Sequence, residues 1–429
     1  MKKTDEFLKF IDRTPNAYFC VANLKEKLKE NGFEELYENE IWSNLKKDGK
    51  YFVIRNDSSI IAFKMVDTYL NTGFNIVASH SDSPTFSIKP NADMYENGYL
   101  KLNVSNYGSM INYTWLDRPL SLAGRVVVYN GDSYKKTMFN IDKDLLIIPS
   151  QAIHINREVN EKLALNYQTD MLPIMSLSNN RLEDIIKENV TDSTYNKICD
   201  YDLYLYNRDK ARLFGLNDEF ISAPRLDDLA SVYPTFNSFI DSDNQKAINV
   251  FCAFNNEEIG SLTKQGADST FLIDILTRIA NCNNMDLFAS LSNSFIISSD
   301  NAHAIHPNAA GKSDPTNKVL LNGGIVVKNH INYTTDAVTS SIFKGICDSS
   351  KVPYQDFACK SDLKCGATLG GVSQRHVSIY SVDIGISQLA MHSANETIGS
   401  KDILYMYKAI LEFYKSSLKK EKNIIKVLR

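Results

Sequence analysis

Ile248-Asn249-Val250-Phe251-Cys252-Ala253-Phe254-Asn255-Asn256-Glu257-Glu258-Ile259-Gly260 is the stretch on which the fold turns. Seven residues, apolar except for Asn249, run into a polar turn with two adjacent glutamates. An apolar run of that length reads as a strand buried on both faces, as in a sheet covered by helices on either side. Glu257 and Glu258 then stand at the carboxyl edge of the sheet, where α/β proteins bind their ligands. Four other stretches repeat the pattern. Phe74 to Ser79 runs into His80-Ser81-Asp82, Phe295 to Ser299 stops at Asp300, Arg225-Leu226 delivers Asp227, and Tyr380 to Gly385 leads through a short turn to His392. Each has a plain structural reading when taken alone: a surface turn at His80, an acidic helix start at Asp227, a solvated face at Glu257-Glu258, a structural histidine at His392. Together, at one edge, they offer two imidazoles, three carboxylates and a spare glutamate, the donor set of a two-metal hydrolytic centre.

The donors are nitrogen and oxygen without a thiolate. That set suits zinc, with manganese or cobalt as substitutes. His303 and His306, just past Asp300, are alternative ligands. Adjacent glutamates can divide labour, one holding metal while the other stays free as a general base. Asp82, two residues beyond His80, suits a carboxylate that holds the far ring nitrogen of a ligand histidine better than it suits direct ligation.

A chain of 429 residues is long for one domain. The texture changes near residue 90, where short alternating strands such as Gly124 to Tyr129 and Asp144 to Pro149 begin, and the strand–helix alternation returns after Ser222. The expected architecture is a discontinuous α/β domain of residues 1–90 and 218–429, a mixed sheet flanked by helices, with a β-rich domain of residues 91–217 inserted. Near the start, the pattern predicts a helix from Thr4, a second from Tyr18 to Asn31 closed by Gly32, and a hairpin from Lys50 to Val66 turning at residues 56–59. A helix running through Ile403, Leu404, Met406 and Tyr407 is expected directly after His392. Net charge is -4, which argues against nucleic acid or an anionic membrane as partner. No window approaches the ~20 apolar residues of a membrane helix. Seven cysteines without a C-x-x-C pair read as free thiols in a reducing compartment, and with no signal-peptide pattern at Met1-Lys2-Lys3 the expected location is cytoplasmic.

Ser79-His80-Ser81-Asp82-Ser83-Pro84, Arg225-Leu226-Asp227, Asn256-Glu257-Glu258-Ile259-Gly260-Ser261, the stretch from Ser299 to Asn308 and Gln388-Leu389-Ala390-Met391-His392-Ser393 resemble the aspartyl aminopeptidase family. The resemblance extends, in order, through Phe7 to Leu36, Trp115 to Arg125 and Ile147 to His154. It implies a metalloprotease, a hydrolase with two zinc ions per subunit that removes N-terminal residues from peptides with a free N-terminus. By that resemblance Asp227 bridges both metals, His80 and Asp300 complete one site, and Glu258 and His392 complete the other. Glu257 is the base and Asp82 orients His80. The resemblance also implies that the inserted domain makes a dimer contact and presents His154 to the neighbour's active site, with dimers assembling into a dodecamer. Lys328 matches the lysine credited with reading acidic side chains, and Tyr333 and Met391 fall in the presumed substrate region. Two positions depart from the family pattern: Asn332 replaces arginine before Tyr333, and Ser81 replaces the commoner threonine. Acidic and neutral N-terminal residues therefore both stay open as substrates. Two other readings use the same residues: a related metal carboxypeptidase or deacylase, and a non-catalytic assembly protein.

Overall fold

The computed structural model describes every residue except 1, 44, 179, 191–193, 196, 367 and 429. Among the described residues, a nine-stranded mixed sheet forms the centre of an α/β fold. Its middle is parallel. Ile248–Phe254 pairs with Phe74–His80, Phe74–His80 with Phe295–Ser299, and Phe295–Ser299 with Tyr380–Gly385. Antiparallel neighbours extend it on both sides, Ser59–Lys64 next to Ile248–Phe254 and Ile325–Asn329 next to Tyr380–Gly385.

Strand periodicity of two explains why the opening stretch carries so few polar residues. Phe251 and Ala253 face a core shared with the helices Lys2–Asp12, Ala17–Glu30, Leu226–Asp241, Ala337–Ser350 and Asp402–Lys415. Ile248, Val250, Cys252 and Phe254 face the opposite core, closed by the helix Phe271–Cys282. With both faces covered, alternation of polar and apolar residues has no place. Fully burying each such side chain stabilises the fold by about 1.5–3 kcal/mol.

Three further sheets accompany the first among the described residues, the smallest a hairpin of Ser417–Glu421 and Ile424–Leu428. A six-stranded antiparallel sheet draws its strands from between Thr85 and Asn207 and has its own core around Phe86, Trp115, Leu122 and Leu203. A five-stranded sheet joins Arg212–Phe214, Phe220–Ala223, Glu396–Gly399, Ser387–Leu389 and Ala302–His303. No helix among the described residues is long and apolar enough to cross a membrane.

Local expectations fare unevenly. The hairpin forms as Lys50–Arg55 and Ser59–Lys64. The second helix runs Ala17–Glu30 with the Asn16 side chain capping Phe19 N–H, and Gly32 takes the left-handed φ of +77° that ends it. The first helix starts at Lys2 rather than Thr4. Asp144 to Pro149 is not a strand. Leu146 bridges Leu120 and Ile147 bridges Ile174, while the N–H groups of Leu145 and Leu146 both donate to Leu120 O, so the segment crosses the sheet margin instead of running along it.

Candidate metal centre

The parallel register brings the predicted side chains to one edge. Phe254 stands beside His80, and Ser81 N–H donates to Phe254 O at 2.7 Å, so the turn bearing Glu257 and Glu258 begins level with His80. Ser299 pairs with Ile384 and Asp300 N–H donates to Ile384 O at 3.0 Å, which sets Asp300 at the same edge. Asp227 arrives from the five-stranded sheet, at the head of Leu226–Asp241. Here the expectation of an ordinary acidic helix start is corrected. Asp227 (φ -82°, ψ 108°) and Asp228 (φ -116°, ψ 21°) are non-helical and joined by a cis peptide. Their carboxylates are buried, at 2% and 0% exposure, instead of capping a solvated turn. His392 sits at φ 66°, and the strand Glu396–Gly399 stands between it and the Asp402–Lys415 helix expected to follow directly.

Asp227 lies at the middle of the group. Its Oδ1 is 3.3 Å from His80 Nε2, and its Oδ2 is 3.7 Å from His392 Nε2. Asp300 Oδ1 is 3.8 Å from His80 Nε2, and Glu258 Oε1 is 3.4 Å from His392 Nε2. One carboxylate thus turns an oxygen toward each imidazole, and each imidazole has a second carboxylate beside it. Donors about 2.0–2.1 Å from a tetrahedral zinc stand about 3.3–3.4 Å apart, so these separations fit ions between the side chains better than direct hydrogen bonds. Ligand atoms of His80, Asp227, Asp228 and Asp300 lie within 4.8 Å of one another, as do those of Asp227, Glu258 and His392, and those of His80, Glu257 and Glu258. Asp227 Oδ1 and Asp228 Oδ1 are buried without a hydrogen-bond partner among the described residues. A buried carboxylate oxygen left so is costly unless a cation meets it. The residues therefore fit divalent metal.

The zinc family follows from the whole chain. Residues 10–414 match the family described as Aminopeptidase I zinc metalloprotease (M18). The chain belongs to the M18 family of zinc aminopeptidases. A relative named "Probable M18 family aminopeptidase 2" from Clostridium novyi is 44% identical over 431 residues, covering 96% of this chain and 99% of the relative. "Aspartyl aminopeptidase 1" of Schizosaccharomyces pombe is 35% identical over 455 residues, covering 98% and 96%. Among solved structures, Chaetomium thermophilum mApe1 has a TM-score of 0.86 at 29% identity, covering 96% of this chain and 97% of that one. This M18 chain is accordingly a metallo-aminopeptidase, a hydrolase.

The electrostatics of the M18 site are those of crowded, buried carboxylates. Burial pushes Asp228, Glu258 and Glu396 well above the usual carboxylate range, and Asp227 adds to the effect on each. Glu257 is raised to about 8, by burial first and then, against the pull of His80, by Asp300, Asp82 and Asp227. Asp300 is the exception. Burial would raise it, but Lys328 and His80 hold it down at about 2. Burial would depress His80, yet Asp228, Asp227, Asp300 and Asp82 outweigh it and hold the imidazole well above its ordinary value. Bound cations would reverse this balance by neutralising the carboxylates in place.

Three supporting residues escaped sequence reasoning. Glu396 accepts from Asp227 N–H at 3.0 Å with one oxygen and from His392 N–H at 2.7 Å with the other, fixing both backbones with one carboxylate. Nothing in Ala394-Asn395-Glu396 announces this. Asp228 accepts from His80 N–H at 3.2 Å, and its only signal was its place next to Asp227. Tyr107, from the six-stranded sheet, donates to Asp82 Oδ2 at 2.8 Å. Asp82 itself does more than face His80. His80 Nδ1 is 3.1 Å from the Asp82 backbone oxygen and 3.6 Å from the carboxylate, while that carboxylate accepts the N–H groups of Glu257 and Glu258, each at 3.2 Å. Lys328 is buried with Nζ 3.3 Å from Asp300 Oδ2 and 6.0 Å from the Tyr333 ring centroid. Tyr333 and Met391 are partly exposed, Met391 next to His392. His154 does not join the cluster of its own chain; it lies exposed in a turn at residues 153–155.

Proposed function

We propose that this enzyme holds two divalent ions, zinc in the first instance, and uses them to cleave the N-terminal residue from peptides. The observation that carries the reading is the split carboxylate of Asp227, one oxygen toward His80 and the other toward His392. In this reading Asp227 would serve both ions, His80 and Asp300 would hold one, and Glu258 and His392 would hold the other. Bound there, the ions would supply Lewis-acid polarisation and neutralise developing negative charge. Glu257 takes the proton of the attacking water and passes it to the leaving amine. Asp82 keeps Glu257 in place through its backbone N–H and backs the far side of the His80 ring. Anionic side chains around the centre attract the free α-amine, which restricts cleavage to chain ends.

Lys328, Tyr333 and Met391 would meet the N-terminal side chain. Lys328 favours Asp or Glu there. A neutral preference has its own support: Lys328 already pairs with Asp300, so part of its charge is committed. Cleavage of an unblocked amino-acid p-nitroanilide but not its N-acetyl form, across a panel of N-terminal residues with zinc, manganese or cobalt restored after chelation, tests the reading. Loss of the acetyl group from the blocked form would point to a deacylase, cleavage of an N-acetyl dipeptide with a free C-terminus to a carboxypeptidase, and inertness toward all of these to a non-catalytic assembly protein.

Residues 91–217 are the proposed dimerisation unit, inserted in a catalytic domain of residues 1–90 and 218–429, with dimers building a dodecamer in the cytoplasm. Ile147, Ile153 and Ile155 around His154 are 41%, 47% and 80% exposed, an apolar surface suited to a partner subunit. His154→Ala is expected to cripple turnover without stripping metal or altering size on a gel-filtration column. A variant that only dissociates would remove His154 from the neighbour's site. Glu396→Gln places an NH₂ against one of two backbone N–H donors, so zinc affinity, measured against a competing chelator, is expected to fall about 10–100-fold. An unchanged affinity would show that Glu396 does not position the ligands.

A further inference from the structure

The two imidazoles of the metal centre are held in different ways. The His80 side chain is 1% exposed and its far nitrogen rests against Asp82. The His392 side chain is 29% exposed, and its ring makes no hydrogen bond among the described residues. A ligand histidine without an outer partner on its ring depends on its backbone for aim. That backbone is tied to one neighbouring segment. His392 O accepts from Ile111 N–H at 2.9 Å. Two residues on, Ala394 N–H donates to Thr114 Oγ1 at 2.9 Å, and Ala394 O accepts from Asn207 Nδ2 at 2.8 Å. Thr114 Oγ1 gives its own proton to Ile111 O at 2.6 Å, so one hydroxyl joins the two contacts. Ile111 and Thr114 lie in the connection between Tyr99–Tyr107 and Leu120–Tyr129, and Asn207 ends Lys197–Asn207, all strands of the six-stranded sheet. The same connection begins against Glu258. Gly108 takes φ +75°, and a Cβ there would stand 3.1 Å from Glu258 Cβ and 3.3 Å from Glu258 O. The backbones of His80 and Asp300 are instead held by Asp228 and Ile384, away from this connection.

We propose that residues 108–114 are the seat of one ion only. Thr114 is a positioning residue that aims His392, Gly108 sets Glu258 by close packing, and the ion at His80 and Asp300 is indifferent to both. This rests on the proposed two-ion reading of the site. The hydroxyl of Thr114 is the point at which the seat can be released. A methyl group in its place leaves Ala394 N–H, in a residue 3% exposed, without its acceptor, and frees Ile111 from the contact that holds it beside His392 O. An unpaired buried donor is costly, so the turn moves to satisfy it, and the imidazole moves with the turn. Nothing in that movement reaches the central strands that carry His80 and Asp300, which are paired along their whole length.

The test is a zinc titration of the metal-free, full-length enzyme against a competing chromophoric chelator, which reads the affinity of each ion. Thr114→Val is expected to weaken one ion about 10–100-fold and to leave the other unchanged. Thr114→Ser, which keeps the hydroxyl, is expected to hold both. A double-variant cycle assigns the ion: Thr114→Val should add nothing in an enzyme that already carries His392→Ala, and should keep its full effect beside Asp300→Asn. Turnover of an unblocked p-nitroanilide by Thr114→Val should be low at limiting zinc and return at excess zinc. Gly108→Ala reaches the same ion from the Glu258 side, and carries the test alone if Thr114→Val does not fold. Equal weakening of both ions, undiminished affinity, a Thr114→Ser variant that behaves like Thr114→Val, or a turnover defect that excess zinc leaves in place would each overturn the proposal. A parent that takes up a single ion per subunit sinks the two-ion reading instead, and a Thr114→Val variant that holds that ion as tightly as the parent would refute the seat as well.

Discussion

Glu257→Gln is expected to lower kcat by about 10²–10⁴-fold while the metal content stays unchanged. Gln matches Glu in shape but cannot take a proton from water. The exchange leaves the backbone anchor untouched, because Glu257 N–H, not its side chain, donates to Asp82 Oδ1. The measurement is turnover of an unblocked p-nitroanilide together with metal per subunit by atomic absorption. Full turnover would remove Glu257 from proton transfer. Loss of metal along with turnover would make Glu257 a ligand, an outcome its closeness to His80 and Glu258 makes a genuine alternative.

Asp227→Asn is expected to have the larger effect, abolishing activity and releasing both ions, since one residue serves both sites in the proposed arrangement. Its stability signature is more specific than the activity loss. Without metal, the native centre crowds Asp227, Asp228, Glu258 and Asp300 around His80 and His392 in a buried space. Removing one charge relieves that repulsion, so the metal-free variant should melt no lower than metal-free parent. Excess zinc should then separate them. At 100 times the dissociation constant a bound ion stabilises the parent by about 2.7 kcal/mol, and the variant should gain far less. Equal zinc-induced shifts in Tm would show that Asp227 is not the shared donor.

Sequence pattern carried the argument far at this site because strand burial and ligand position are linked. A segment such as Ile248–Phe254 must be apolar on both faces to lie inside the sheet, and it can turn polar only where it leaves the sheet. The switch from Phe254 to Glu257 or from Ser299 to Asp300 therefore marks an edge, and parallel pairing sends those edges to one place. The M18 family match over residues 10–414 is consistent with that reading.

What stayed hidden depends on contacts between distant segments. Glu396 looks like any glutamate until the fold sets it against the N–H groups of Asp227 and His392. Asp228 looks like a second helix-start acid until the backbone turns out non-helical there. Tyr107 reaches Asp82 from another sheet altogether. The Tyr333–Cys365 contact joins positions 32 residues apart, with no spacing motif to announce it.

The residue types, their order and their place at strand ends belong to the sequence, because burial and periodicity act along the chain. Which oxygen of Asp227 faces which histidine, and which carboxylates hold backbone rather than remaining free for metal, belong to the tertiary structure. Those choices rest on distances of a few ångströms between segments that only packing brings together.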